Sequence, residues 1–169
     1  MNGRKLTILM IDSHAEIERG GAIQCARLAA ALAERGHSVA CVFDATNNAS
    51  ERTGAEWQRL SNAGVTVLRR PLLSISAMRR FGEELRELAP DIVHTHKNRA
   101  LYSLAGATRN RRSFGWVANR GTEYSLLREP PAWAIHRYWV DRMIPVADAV
   151  KAQLIRDGIP PEKLRTIYG

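Results

Sequence analysis

The residues that could take part in chemistry occur in short groups, and the first group contains a glycine pair. Gly20 and Gly21 follow a polar stretch, Asp12 to Arg19, and open a segment with helical periodicity. Glycine lets a ligand approach the backbone closely, and the free N–H groups at the start of a helix favour an anion. The pair therefore predicts a phosphate-binding turn. The alternative interpretation is that two glycines relieve crowding at the start of the helix.

The second group contains two histidines and two basic residues. His94 and His96 flank Thr95, so both imidazoles should lie on the same face of a strand. Such a pair can bind a metal, but no third ligand of matching type lies at a recognisable spacing, and we expect no metal site. Lys97 and Arg99 follow the strand, where they can meet an anionic substrate. A solvated surface is the alternative for these two cations.

The third group runs from Asn119 to Tyr124 and follows another predicted strand. Arg120 can clamp a phosphate or a carboxylate with its planar guanidinium, and Gly121 allows a tight turn beside it. The alternative is an ion pair between Arg120 and Glu123. Neither the dinucleotide pattern GxGxxG nor the Walker pattern GxxxxGK[ST] occurs in the sequence. We therefore do not expect a nicotinamide dehydrogenase, and no cofactor is predicted.

These groups lie between apolar runs of strand length and segments with helical periodicity. Such an alternation predicts an α/β fold, a Rossmann-like three-layer α/β/α arrangement with a mostly parallel sheet. Ligands of open parallel sheets bind beyond the carboxyl ends of the strands, where all three groups and Asp12 fall. The predicted strands are Leu6–Ile11, His37–Phe43, Val65–Leu68, Asp91–His94, Gly115–Ala118, Arg142–Val146 and Leu164–Ile167, and the predicted helices are Gly21–Glu34, Glu51–Ala63, a helix from the Ser74 cap to Pro90, Arg99–Thr108, Ala132–Val140 and Asp148–Arg156.

Composition is that of one folded domain. The chain has 169 residues, of which 45% are hydrophobic and 25% charged, so disorder is not expected. No apolar run is long enough to span a bilayer. Cys25 and Cys41 are the two cysteines, and we expect both to be buried in a reducing cytoplasm. An aromatic segment, Pro130 to Trp139, either packs into the core or touches a membrane or the acceptor cleft.

The net charge of +8 indicates contact with anions such as phosphates, an acidic membrane leaflet or nucleic acid. A nucleic-acid interface is disfavoured, because the arginines are dispersed from Arg4 to Arg165 with acidic residues between them. Peripheral contact with the inner face of the membrane is left open.

Four segments in this order resemble the amino-terminal domain of glycosyltransferase family 4, which has the two-domain GT-B fold. The resemblance covers essentially the whole chain. The segments are the glycine pair with the helix and LAAALAERGHSV that follow it, the run PDIVHTH from Pro90 to His96, the strand and turn from Val117 to Tyr124, and the tail ADAVKAQLIRDGIPPEKLRTIYG that ends at Gly169.

The resemblance implies an enzyme that transfers a sugar from a nucleotide-sugar to a glycan or lipid-linked acceptor, with retention of configuration and no essential metal. Gly20 and Gly21 would face the donor sugar and diphosphate, and Gly21, His96 and Arg120 would act in catalysis. The acceptor would be bordered by Asp12, Arg19, His96, Lys97, Arg99, Arg120 and Tyr124.

The resemblance also implies that residues 1–169 form only the acceptor-side half of such an enzyme. A carboxyl-terminal donor-binding domain is expected to be missing, and the isolated chain is expected to be inactive. Many relatives carry His where this chain has Arg120, and Ser at the start of the helix that begins here with Ala147 and Asp148. The rival hypothesis is a freestanding α/β module that binds a phosphorylated ligand without catalysis.

Overall fold

A single six-stranded parallel sheet organises the protein. The computed structural model describes residues 4–18, 20–45, 54–72, 74–109 and 111–168, and its strand order is β3-β2-β1-β4-β5-β6. The strands are β1 (Thr7–Asp12), β2 (Ser38–Asp44), β3 (Thr66–Arg70), β4 (Ile92–His96), β5 (Gly115–Arg120) and β6 (Arg142–Pro145). Every neighbouring pair is parallel, so the predicted α/β fold is confirmed and its sheet is wholly parallel.

In the described ranges six α-helices accompany the strands: α1 (Gly20–Glu34), α2 (Ala55–Asn62), α3 (Ile75–Leu88), α4 (Lys97–Thr108), α5 (Pro130–Ala134) and α6 (Asp148–Arg156). One apolar core joins α1 and α2 to one face of the sheet, through residues such as Met10, Cys41 and Trp57. The other core joins the remaining helices to the opposite face, around Trp116 and Phe81. The predicted three layers are therefore present.

The chain reverses direction across the sheet beside β1. Strands β2 and β3 lie on one side of β1, and β4, β5 and β6 lie on the other. In the register of β1 and β4, Asp12 is the partner of His96, the last residue of each strand. A crevice opens at such a switch point, because the loops leaving the two strands pass to opposite faces of the sheet.

Local sequence signals account for several helix boundaries. Ser74 begins α3, because its Oγ accepts a hydrogen bond from the Ala77 amide at 3.1 Å. Gly64 follows α2 with a φ of +72°, a conformation that favours glycine. Both boundaries confirm the sequence interpretation. Of the predicted helix Glu51–Ala63, residues 51–53 lie outside the described part of the chain.

Other predictions were wrong in detail. Leu164–Ile167 is not a strand: only Leu164 forms an isolated bridge, with Met143. The predicted helix Ala132–Val140 is instead α5 followed by a π-helical turn, Ile135–Trp139. The helical spacing from Cys25 predicts Leu28 on the apolar stripe of α1, but Leu28 is 36% exposed, because the small residues Ala22, Cys25, Ala26, Ala29 and Ala30 make the contact with the sheet.

Within the described residues, no helix is both long and apolar enough to cross a membrane. Trp133 and Trp139 lie partly buried against the larger core, which favours the packing role predicted for them over an exposed aromatic surface.

Candidate functional site

A cavity of about 900 Å³ lies at the carboxyl edge of the sheet, at the switch point. The residues that line it come from the ends of β1, β4 and β5, the start of α1 and α4, and the loop before α5. They are Asp12, Ser13, His14, Gly20, Gly21, Gln24, His96, Lys97, Asn98, Arg99, Tyr102, Asn119, Arg120, Gly121, Thr122, Tyr124, Glu129 and Val146. The fold thus brings together all three groups of residues that the sequence singled out.

The glycine pair borders this cavity with free space around it. No atom lies within 4 Å of a Cβ built on Gly20, and a Cβ on Gly21 would meet only His14 Cε1, at 3.6 Å. Packing therefore does not require glycine at either position, which removes the crowding alternative. The first N–H groups of α1 lack partners within the helix and are available to a ligand.

His14 connects the end of β1 to the start of α4. Its amide and its Nδ1 donate to Asp12 Oδ1 at 2.8 and 2.7 Å. Its Nε2 accepts from Lys97 Nζ at 2.6 Å. With the Lys97 ammonium on one side and the Asp12 carboxylate on the other, Nδ1 is the ring nitrogen that carries a proton toward Asp12. Asp12 is fully buried, so this chain of contacts ties a buried carboxylate to a cation at the cavity surface.

Lys97 adopts an unusual backbone conformation for its position. Its φ is +67° at the first turn of α4, whereas the other two non-glycine residues with positive φ in the described chain, Ala89 and Arg109, follow the last turn of a helix. The left-handed conformation is common after a helix and costly at its beginning. Such strain in a cavity-lining residue is a feature of functional sites.

Arg120 is 5% exposed and lies against the Tyr124 ring. Its Nη2 donates to Tyr124 O at 3.0 Å, and its Cζ lies 4.5 Å from the ring centroid. No ion pair with Glu123 is found among the described residues, which disfavours that alternative. The Arg120 Nε is buried without a partner, so this guanidinium retains one unused donor beside the cavity.

Glu129 is held by three donors on the side of the cavity formed by α4 and the loop before α5. Tyr124 Oη donates to Oε1 at 2.6 Å, while Asn98 Nδ2 and Tyr102 Oη donate to Oε2 at 2.5 and 3.3 Å. The hydrogen bond from Tyr124 is the main cause that lowers the pKa of this carboxyl. We call these four residues, Asn98, Tyr102, Tyr124 and Glu129, the Glu129 wall.

The floor of the cavity contains buried groups of a different kind. His94 and His96 have ring centroids 4.4 Å apart, which places them on the same face as predicted. Burial lowers the pKa of His94 to about 4, and burial together with electrostatic interactions with His94 and His14 lowers the pKa of His96 well below its usual value. Both rings are therefore neutral near pH 7.

The fold also places Cys25 of α1 beside Asp12 and His96. One ligand-type atom from each of these buried side chains lies within 4.8 Å of the other two. The sequence indicated no third ligand for the histidine pair, because the partner comes from a helix that packs on the strands. Within the described part of the chain, Asp12 Oδ2 and His96 Nε2 have no hydrogen-bond partner. We call Asp12, Cys25 and His96 the floor cluster.

Two predicted site residues remain to be placed, Arg99 and Arg19. Arg99 lines the cavity and pairs with Asp44 at 3.0 Å, so its charge is partly engaged. Arg19 lies outside the described residues. Sequence reasoning missed His14, Asn98, Tyr102 and Glu129 as individual site residues. The spacing Asp12-x-His14 was a signal for the first of them, whereas Glu129 reaches the cavity only through the fold.

The geometry agrees with the family that the sequence resembles. The pattern that defines glycosyltransferase family 4 matches residues 19–169. This chain belongs to glycosyltransferase family 4. A search of curated protein sequences found no significant match.

Solved structures with the same fold include a glycosyltransferase and proteins bound to UDP and glucose or to UDP-GlcNAc. HepE of Anabaena, solved with UDP and glucose, superposes with a TM-score of 0.72 at 16% identity, over 97% of this chain and 44% of HepE. A glycosyltransferase from Rickettsia africae gives 0.72 at 18% identity, over 98% and 43%. UDP-GlcNAc 2-epimerase from Neisseria meningitidis, bound to UDP-GlcNAc, gives 0.60 at 18%, over 95% and 46%.

At these identities the similarity establishes the fold of the family 4 domain and not its substrate. The chain spans less than half of the length of each of these three structures.

Proposed function

We propose that this family 4 domain forms the acceptor-side half of a retaining glycosyltransferase that moves a sugar from a nucleotide-sugar to a glycan or lipid-linked acceptor. The observation that supports it is the cavity at the switch point, which has the open start of α1 at Gly20 and Gly21 on one side and the Glu129 wall on another. The glycine side suits a negatively charged leaving group, and the Glu129 wall suits an acceptor that carries hydroxyl groups.

Donor binding is assigned to the α1 side of the cavity. The partial positive charge at the start of α1 favours the diphosphate, and Gly20 leaves the approach open. The backbone amide of Gly21 would stabilise the negative charge that develops on the leaving diphosphate. The complex of HepE with UDP and glucose motivates a nucleotide-sugar donor here. The remaining donor contacts are assigned to a carboxyl-terminal domain.

Acceptor binding is assigned to the opposite side. The Glu129 carboxylate accepts three hydrogen bonds and is fixed toward the cavity, so it can orient a sugar hydroxyl. Lys97 and Arg120 add positive charge, with an unused Nε on Arg120. Asp12 and His96 support this surface from below, because both are buried in the floor. Arg99 lies at the rim and meets an anionic acceptor group.

The test is sugar transfer by the protein that includes any segment following Gly169, compared with the 169-residue chain. A panel of nucleotide-sugars and acceptors is assayed by nucleoside diphosphate release, and the anomeric configuration of the product is read by NMR. We expect transfer with retention by the longer protein and essentially none by the chain alone. Transfer by the chain alone would contradict the two-half proposal, and an inverted product would contradict retention.

The second candidate is a module that binds a phosphorylated ligand without catalysis, and the observation that favours it is that residues of this chain alone line a cavity of about 900 Å³. Calorimetry with UDP and UDP-glucose distinguishes the two. Binding with no transfer by any form of the protein would favour the module.

For the cellular setting we propose the cytoplasm, because both cysteines are free thiols. Peripheral contact with an anionic leaflet is checked by co-sedimentation with vesicles of acidic and neutral lipid.

A further inference from the structure

We propose that the floor cluster, Asp12, Cys25 and His96, binds a transition-metal ion of the zinc class beneath the cavity. The three side chains supply one oxygen, one sulfur and one nitrogen donor, and these atoms already lie within 4.8 Å of one another. In tetrahedral zinc sites the ligand atoms are separated by roughly 3.3–3.6 Å, given bond lengths of about 2.0–2.3 Å. Small rotamer adjustments would therefore close the site.

Two unpartnered atoms point to a ligand at this place. Asp12 Oδ2 and His96 Nε2 are buried, in residues that are 0% and 3% exposed, and neither atom has a hydrogen-bond partner among the described residues. A buried polar atom without a partner is energetically costly. Both atoms belong to types that bind zinc, and both residues line the cavity, which gives an ion a path of entry.

The neighbours of these side chains suit metal binding. Asp12 Oδ1 is engaged by His14, which fixes the carboxylate and leaves Oδ2 for the metal. Asn119 lies 3.5 Å from His96 Nδ1. With its amide oxygen turned toward that nitrogen, Asn119 would accept the Nδ1 proton, as the outer partner of a metal-bound histidine does. A hydrogen bond with Cys41, together with burial, raises the pKa of the Cys25 thiol, so the metal must displace its proton.

The chemical softness of the three donor atoms determines which class of metal ion the site prefers. A thiolate and an imidazole select zinc-like ions over Mg²⁺ or Ca²⁺, which prefer oxygen ligands. With a water from the cavity in the fourth position, the coordination would be tetrahedral. The metal would join the first helix to β1 and β4 and so hold the glycine pair in place. This role does not depend on the proposed transferase activity.

The test measures metal in the chain, produced without a polyhistidine tag. After chelation, loading with Zn²⁺ and desalting, mass spectrometry is expected to find about one zinc per chain, against less than about a tenth in Cys25→Ala or His96→Gln. The matched control is Cys41→Ala: this buried cysteine contacts Cys25 but supplies none of the three donor atoms, so the variant is expected to keep the metal. Circular dichroism checks the fold of each variant.

Cobalt gives an independent readout in the unmodified chain. Loading with Co²⁺ is expected to produce a thiolate-to-metal charge-transfer absorption, which disappears in Cys25→Ala and persists in Cys41→Ala. Failure of the unmodified chain to retain zinc after loading, or equal retention by Cys25→Ala, overturns the proposal. Because no sugar transfer is measured, the result is separate from the fate of the transferase proposal.

Discussion

Asp12 and Glu129 are carboxylates that line the same cavity, and they are held in opposite ways. Glu129 accepts hydrogen bonds on both oxygens from three side chains. Asp12 is fully buried, yet only its Oδ1 is engaged, and Oδ2 has no partner. A satisfied carboxylate is fixed in place and can orient a ligand, whereas an unsatisfied one requires a ligand of its own. We infer that the Glu129 wall positions the acceptor directly, whereas Asp12 supports the same surface from the floor of the cavity.

The largest expected effect concerns the donor side. Gly21→Val should lower kcat for sugar transfer by roughly 10²–10³-fold with little change in acceptor KM, because a side chain there displaces the leaving diphosphate from the helix amides. Gly21→Ala serves as the graded control, since its Cβ makes only an ordinary contact with His14. Steady-state kinetics measures both variants. A change confined to acceptor KM would reverse the assignment of the two sides.

Acid should destabilise the region behind the Glu129 wall. Burial lowers the pKa of His136 to about 4, while the Ala132 carbonyl and Glu129 raise it and Arg120 lowers it. An unfolded histidine titrates near 6.5, so the stabilisation is complete above that pH and disappears as pH falls toward 4. Between these two pH values the free energy of unfolding should fall by about 3 kcal/mol on account of His136.

Denaturant titrations at pH 7 and pH 4 test this for the wild type and His136→Gln. The variant should lose about 3 kcal/mol less unfolding free energy between the two values. An unchanged difference would show that His136 is not responsible.

The hydrogen bond from Tyr124 should control acceptor affinity. Tyr124→Phe removes the shortest hydroxyl donor to Glu129, at 2.6 Å, and we expect acceptor KM to rise by about tenfold with kcat nearly unchanged. Tyr102→Phe removes the contact at 3.3 Å and should have a smaller effect. A loss of kcat without a change in KM would remove the Glu129 wall from acceptor binding.

The smallest expected effect is on stability, at Lys97. Because its φ is +67°, Lys97→Gly should be more stable than Lys97→Ala by about 1 kcal/mol, the reverse of the usual order in a helix. Both variants lack the ammonium that contacts His14, so their difference isolates the backbone. Thermal unfolding measures it. If the Ala variant is the more stable, the backbone at this position is not strained in solution.

Much of the architecture could be predicted from local patterns. The apolar runs of β1 and β2 and the glycines after α1 and α2 marked a parallel α/β fold. Errors arose where local pattern and tertiary packing disagree. Leu164–Ile167 has strand composition, but only Leu164 forms a bridge, and it does so with β6 at the end of the sheet. Leu28 fits a helical stripe, yet smaller residues make the contact.

By itself the sequence determined the family, the parallel sheet and the edge at which the cavity lies. The spacing of apolar residues, the positions of glycines and the ends of strands are all local properties of the chain. Only the tertiary structure decided which side chains meet there. It brought Glu129 to Tyr124, Tyr102 and Asn98, and Cys25 from α1 to Asp12 and His96. Contacts between distant segments depend on how the helices pack on the sheet around the switch point. The spacing of residues along the chain does not show which of these segments come close together.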